Sequence, residues 1–245
     1  MGQNGNIQSI VASHLKVWTA NASLRQGNQW TGQAWPLVTI SREFGSQGAL
    51  VGEKVANALG FSFWDHQLVE AIAKETGAGE TLLDTLDEHA RNRVEEFVAG
   101  LLMGRTGTAE EFVHQIAKTI RTIYKHGRAV VVGRGGQFVL FDEQALRVRI
   151  VADFDKRVKG YAERNELTIS EADKIVKKTD LEREKFIQMQ YHRDVNKASN
   201  YDVVLNVTTL GMEDAAELIV AAYSTKFKIG RSKIEEHLKY APQAI

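Results

Sequence analysis

Apolar residues in this chain fall into two patterns: short, nearly unbroken runs, and longer stretches where they recur every three or four positions. The runs Leu37-Val38-Thr39-Ile40, Phe61-Ser62-Phe63-Trp64, Arg128 to Gly133, Leu146 to Ala152 and Tyr201 to Val207 have the length and β-branched content of strands. The run through Val130, Val131 and Val132 is apolar at successive positions, as in a strand covered on both faces. Between the runs the period lengthens to that of helices. After a glycine-bearing turn over Ser41 to Gly48, a helix places Leu50, Val51, Val55, Ala58 and Leu59 on one side and stops at Gly60. Asp65 is placed to cap a helix over His66 to Thr76, ended by Gly77.

Residues 79–126 carry two helical patterns with no strand between them. The first puts Leu82, Leu86, Val94, Phe97, Leu101 and Leu102 inward. The second opens on Thr108-x-x-Glu111, a capping-box pattern, and buries Phe112, Ile116, Ile120 and Ile123; Gly104 to Gly107 is the break. Further helices are expected over Asp153 to Asn165, from a Ser170-x-x-Asp173 cap to about Tyr191, and over Gly211 to Tyr223. Five strands alternating with helices predict an α/β domain with a mainly parallel sheet, in which ligands sit beyond the strand carboxyl ends. Those ends carry Arg42 with the glycine loop, Asp65, Gly133-Arg134-Gly135, and Asp153. Residues 1–35 read as a polar N-terminal extension docked through Trp30 or Trp35, and residues 226–245 as a short basic, then amphipathic, helical tail.

Composition narrows the chemistry. The 245 residues have 43% hydrophobic and 25% charged content, ordinary for a soluble protein, and a formal net charge of zero. Nothing in the bulk charge favours nucleic acid or an anionic membrane. No apolar run reaches the roughly 18–20 residues of a membrane span, and no basic-then-apolar leader opens the chain, so a cytoplasmic location is expected. The absence of cysteine excludes disulfides, thiolate metal sites and a cysteine nucleophile. The seven histidines show no metal-ligand spacing. A strand, glycine loop and helix in succession present backbone N–H groups and a helix N-terminus to an anion, and Arg42 adds a fork of donors suited to phosphate. A plain βα connection needs a glycine turn as well. Asp65 suits a helix cap as much as a ligand contact, and capping is the simpler account of Asp153 and Asp155. Arg134, set between glycines at a strand end, has little packing reason to be there.

ISREFGSQG, then a helix, then FSFWDHQLV, with VVVGRGGQFVL, Asp180-Leu-Glu-Arg183 and YDVVLNVTTLG following in order, resembles the cytidylate kinase-like family of P-loop proteins over roughly residues 36–225. The resemblance implies a three-layer P-loop nucleoside monophosphate kinase fold: a five-stranded parallel sheet, a helical acceptor-binding insertion at about 67–125 and a lid at about 155–193. It implies transfer of the ATP γ-phosphoryl group, with Mg²⁺, to CMP, dCMP or a related small phosphate acceptor. Such catalysis is mostly positioning and charge neutralisation. In these terms Arg42, Glu43, Phe44, Gly45, Ser46, Gln47 and Gly48 would cradle donor phosphate. Asp65, Arg134, Arg164 and Asp180 would hold the acceptor, Arg42, Arg157 and Arg183 would serve the transferring group, and no protein metal ligand is assigned. Homo-oligomerisation stays open.

The chain departs from the Walker pattern G-x-x-x-x-G-K-[ST]. Laid on it without gaps, Arg42 stands at the first glycine, Gln47 at the second and Gly48 at the lysine; Leu50 falls near the metal-ligating hydroxyl, with Ser46 the close alternative. Members of the family it resembles often carry an arginine after the Gly-Gly pair, where this chain has Ala49. The alternative expectation is therefore a pseudo-kinase that binds nucleotide as a sensor or assembly module without turnover.

Overall fold

The computed structural model describes residues 35–74, 76–84, 86, 88–101 and 108–240. Its centre is a five-stranded, all-parallel sheet: β1 (Leu37–Arg42), β2 (Ser62–Trp64), β3 (Ala129–Val132), β4 (Ala145–Val151) and β5 (Val203–Asn206), in the spatial order β2-β3-β1-β4-β5. Two layers of helices cover it. On one face α1 (Gly48–Leu59), α9 (Val207–Phe227) and α10 (Arg231–Tyr240) pack on Val38, Ile40, Val130, Val132, Val148 and Ile150. On the other, α2 (His66–Lys74), α3 (Thr76–Leu83), α4 (Glu88–Leu101), α5 (Thr108–His126) and the single turn α6 (Gly136–Val139) enclose Leu37, Ala129, Val131 and Ala145. Alternate residues of each strand thus serve opposite layers, and this explains why β1 and β3 read as continuous apolar runs. This is the three-layer nucleoside monophosphate kinase fold, with α2–α5 inserted between β2 and β3. The hairpin of α7 (Phe154–Asn165) and α8 (Ile169–Tyr191) rises beside the strand carboxyl ends.

Several local expectations need correction. The buried stripe of α1 is Val51, Gly52, Val55, Ala56 and Leu59, while Leu50 is 47% exposed and Ala58 also faces out. Gly52 belongs to the stripe because a Cβ there would lie 3.0 Å from Val132 and 3.2 Å from Ile40 and Phe63, so its smallness sets how closely α1 approaches the sheet. Gly77 does not end a helix but lies inside α3, and the first helical pattern of 79–126 divides between α3 and α4. Leu82 and Val94 are buried as expected; Leu102 and the glycine break at 104–107 lie outside the described residues. The long helix α8 is capped by Thr168 with Glu171 rather than by Ser170 with Asp173. In the capping box the Thr168 hydroxyl accepts from the Glu171 amide, and the longer Glu171 carboxylate reaches back to the Thr168 amide. Helix α9 begins at Val207, with Asn206 as cap and a kink at Gly211, four residues before the expected start.

Trp35 is buried against Phe61, His237 and Arg128. Helix α10 closes over the same spot through Ile234 and through His237, whose ring nitrogen lies 3.0 Å from Gly60 O. Trp30 and the rest of residues 1–34, like residues 241–245, lie outside the described residues.

Candidate functional site

A cleft of about 410 Å³ opens beyond the carboxyl ends of β1, β3 and β4, walled on its far side by α8. Four arginines line it from four different elements: Arg42 at the end of β1, Arg134 in the turn after β3, Arg149 within β4, and Arg183 on α8. Ser41, Gln137 and Asn196 supply neutral polar groups, and Phe44, Phe186 and Val195 supply apolar walls.

Glycines make the room for this cluster. Gly48 and Gly133 flank Arg42: a Cβ at Gly48 would stand 2.6 Å from Arg42 Cβ, and one at Gly133 would stand 2.4 Å from Arg42 Nη1. The Arg42 side chain therefore passes from the glycine loop toward β3 and into the cleft. The residue standing at the Walker lysine position lacks a side chain because Arg42 fills that space. The turn after β3 runs through three consecutive left-handed residues, Gly133 (φ 86°), Arg134 (φ 53°) and Gly135 (φ 72°). The backbone is held there by the Tyr191 hydroxyl, which donates to Arg134 O at 2.8 Å. The Arg134 guanidinium meets the Glu70 carboxylate of α2 and lies over the Phe186 ring, 5.3 Å from its centroid. Arg149 is 7% exposed and donates to Ser41 Oγ at 2.8 Å and Asn196 Oδ1 at 3.0 Å, both neutral acceptors. Arg183 lies over the Phe44 ring at 5.1 Å and donates to Arg42 O.

The electrostatics follow from this crowding. Burial, with repulsion from Arg183, Arg134 and Arg149, lowers the Arg42 pKa to about 9 against the opposing pull of Asp65. Burial lowers Arg183 to about 10, with repulsion from Arg134, Arg149 and Arg157 outweighing part of the help from Asp180. Burial also lowers Arg134. Guanidinium groups stay protonated at neutral pH, so such shifts report mainly the cost of burying their charge, with neighbouring guanidinium groups adding to it at Arg42 and Arg183. His66, the first residue of α2, also lines the cleft; burial and the positive charge of Arg42 lower its pKa to about 4. Its imidazole is therefore neutral near pH 7.

The glycine loop sits otherwise. Phe44 carries Arg183 on its ring and packs against a small core of the α7–α8 hairpin, 5.0 Å from the Tyr161 ring and beside Val158, Ala162, Ala172 and Val176. The Phe44 amide donates to Asp180 Oδ1 at 2.7 Å, and Asp180 Oδ2 accepts from Arg157 Nη1 at 2.5 Å. Arg157, 6% exposed, also donates to Phe44 O and Ala152 O and pairs with Glu43, whose carboxylate accepts the Ala152 amide. Gly45 rests on Arg157 Cβ, which a Cβ of its own would approach to 3.2 Å. The hydroxyl of Ser46 donates to Glu43 O at 2.8 Å, and the side chain is 2% exposed. Gln47, left-handed at φ 59°, leaves the N-terminus of α1 without a side-chain cap.

Of the residues singled out from the sequence, Arg42, Glu43, Phe44, Arg134, Asp180 and Arg183 line the cleft. Gly45, Ser46, Gln47 and Gly48 form the turn behind Arg42. Asp65 caps α2 through the Leu68 amide at 2.8 Å, and Arg157 clamps the loop from beneath. Arg164 is exposed in the last turn of α7 and does not line the cleft. Sequence reasoning missed Arg149 and His66. The former had a signal, a charged residue inside an apolar run and paired in register with Ser41 of β1.

The arginine cluster fits the phosphates of a nucleotide or a phosphorylated acceptor. A divalent cation has no such provision: among the described residues no group of three or more His, Cys, Asp or Glu could hold a metal, and the Ser46 hydroxyl is turned inward. No helix among these residues is long and apolar enough to cross a membrane.

A model of the cytidylate kinase-like family matches residues 37–209. No curated protein sequence matches the chain. Among solved structures, an uncharacterized protein from Eubacterium ventriosum superposes with a TM-score of 0.63 at 19% identity, covering 78% of this chain and 99% of its own, a likeness of fold. A shikimate kinase from Bacteroides thetaiotaomicron gives a TM-score of 0.42 at 14% identity, covering 79% of this chain and 99% of its own.

Proposed function

Because this chain belongs to the cytidylate kinase-like family and directs four arginines into one cleft, we propose that it is a nucleotide kinase acting on CMP, dCMP or a related small phosphate acceptor. The observation that carries this reading is the convergence of Arg42, Arg134, Arg149 and Arg183 on one cleft, where Glu43 and Asp180 are engaged by Arg157 and Arg149 donates to the neutral Ser41 and Asn196. Phosphoryl transfer needs little covalent help from the protein and much charge stabilisation, which such a cluster supplies. Arg134 and Arg149 hold the acceptor's phosphate oxygens. Arg42 and Arg183, one from each side, face the transferring group and stand in for the ammonium that Gly48 lacks. Phe44 and Phe186 keep water from the guanidinium faces on which they stack. ATP, when bound, would supply the phosphoryl group, and Mg²⁺ would add charge compensation to that of the arginines. The acceptor insertion is α2–α5 and the lid is the α7–α8 hairpin, clasped to the loop by Asp180 and Arg157.

The second reading, nucleotide binding without turnover, is favoured by one observation: the Ser46 hydroxyl is committed to Glu43 O and Gly48 is closed off by Arg42. Coupled ADP release over a panel of nucleoside monophosphates, beside thermal-shift titration with ATP, CMP and both, separates the two. Release with CMP or dCMP is expected. Stabilisation without release would replace the kinase by the sensor, and no stabilisation by any phosphate compound would overturn both.

A further inference from the structure

Two buried nitrogens in the lining of the cleft have no hydrogen-bond partner, His66 Nδ1 and Arg134 Nε. A buried polar atom left unpaired costs free energy and calls for an explanation, such as a ligand that completes it. The surroundings of His66 say what kind of ligand. Arg42 comes from β1, Arg134 from the turn after β3 and Arg183 from α8, all positive; Asp65 precedes His66 in the chain and is the opposing charge. Glu70, one turn along α2, is taken by Arg134. Cations therefore outnumber anions around the ring, and a second proton on it is unfavourable until negative charge arrives.

We propose that His66 is a proton acceptor that senses the bound anion: when a dianionic oxyanion enters among Arg42, Arg134 and Arg183, the imidazole takes a proton from solvent and its orphaned Nδ1 becomes a donor to that anion. The inference rests on the reading of this cleft as a phosphate site. It adds a fifth cationic group that is present only while ligand is bound. The cleft thereby favours a full dianion over a monoanion or a carboxylate, because the larger charge cancels more of the positive excess that the three guanidinium groups leave after Asp65 and Glu70. In the free protein burial and Arg42 hold the His66 pKa near 4, and an opposite charge close to the ring favours its protonated form. The sign of the linkage follows. The complex has the higher pKa, so protons are taken up on binding between the free and bound values, and affinity rises as pH falls through that window, by at most about tenfold per pH unit for one proton.

Inorganic sulfate is the probe, because it stays a dianion across this range and carries no titration of its own. The histidine ring resonances are followed by NMR from pH 4 to 8 with and without sulfate, His66 being assigned by its loss in His66→Gln, and sulfate affinity is measured by calorimetry at each pH. The expected result is a His66 midpoint raised by at least one pH unit in saturating sulfate, tighter binding toward acid in the natural protein, and a flat affinity profile in His66→Gln. Sulfate binding with an unmoved midpoint would overturn the inference while leaving the phosphate site standing, as would an unchanged pH dependence in His66→Gln. If neither sulfate nor ATP binds, the phosphate site falls and the inference falls with it.

Discussion

Two glycine turns stand side by side at the carboxyl end of the sheet, and they have been put to opposite uses. The loop after β1, Glu43 to Gly48, is turned toward the α7–α8 hairpin: Phe44 packs among α7 and α8, and its amide is held by Asp180. The turn after β3, Gly133 to Gly136, is turned toward the cleft and presents Arg134 there. The first has the pattern usually associated with phosphate, yet the arginine it contributes, Arg42, leaves the loop to join the second. Glycine in itself says only that backbone must pass close to something. At Gly45 and Gly48 that something is the protein's own Arg157 and Arg42; at Gly135 it is Tyr191, which holds the turn that aims a cation.

The comparison can be broken at its most rigid point first. In Gly135→Ala the new methyl would meet the Tyr191 ring at 2.2 Å on left-handed backbone, and Tyr191 is the residue that fixes Arg134 O. A loss of about 2–4 kcal/mol is expected from strain and overpacking together, read as a lowered denaturation midpoint at unchanged slope. Restoring the Walker lysine probes the other turn. Gly48→Lys puts a Cβ 2.6 Å from Arg42 Cβ, so it should displace Arg42, cost about 1–3 kcal/mol of stability and weaken ATP binding rather than strengthen it. Tighter ATP binding in that variant would mean the loop still holds room for an ammonium.

Arg134→Ala removes a cation from the cleft without touching the glycines. Loss of charged hydrogen bonds worth about 1.5–3 kcal/mol predicts roughly 10–100-fold weaker binding of the phosphate acceptor. Melting temperature should fall less than in Gly135→Ala, and equal affinity would remove Arg134 from the site. Acid sensitivity follows from His66. Its pKa in the folded protein, about 4, lies below the ordinary value of 6.5, so the stability that goes with its neutral form is present above about pH 6.5 and is lost as pH falls toward 4. Denaturation at steps across that window should show a smaller decline in His66→Gln. The smallest effect belongs to Arg164→Ala, on the exposed end of α7, where stability should stay within about 0.5 kcal/mol and ligand affinity should not change.

The five strands, their parallel pairing and the glycine stop at Gly60 were legible in the amino-acid sequence because each depends on a local cause: an apolar run long enough to be covered twice, or a residue without Cβ where the backbone turns left-handed. The family likeness rested on the same short segments; of the residues it singled out, Arg42, Arg134, Asp180 and Arg183 line the cleft, whereas Asp65 caps α2, Arg157 clamps the loop and Arg164 faces solvent. Other features could not be read locally. Gly52 looked like a gap in the stripe of α1 until the sheet behind it showed why a side chain is excluded. Thr168 and Ser170 each begin a capping pattern, and only the helix start decides between them. Arg149 lies 108 residues from the Ser41 hydroxyl it binds. Arg164 and Arg183 are both arginines on the α7–α8 hairpin, yet one faces solvent and the other the cleft.

The order of residues thus settled which segments form strands and where the chain turns, since those choices are made over a few neighbouring dihedral angles. The fold settled which charges meet. A field built from β1, β3, β4, α2 and α8 exists only after the sheet has brought those elements together, and with burial it keeps His66 neutral among guanidinium groups that no single segment could have assembled.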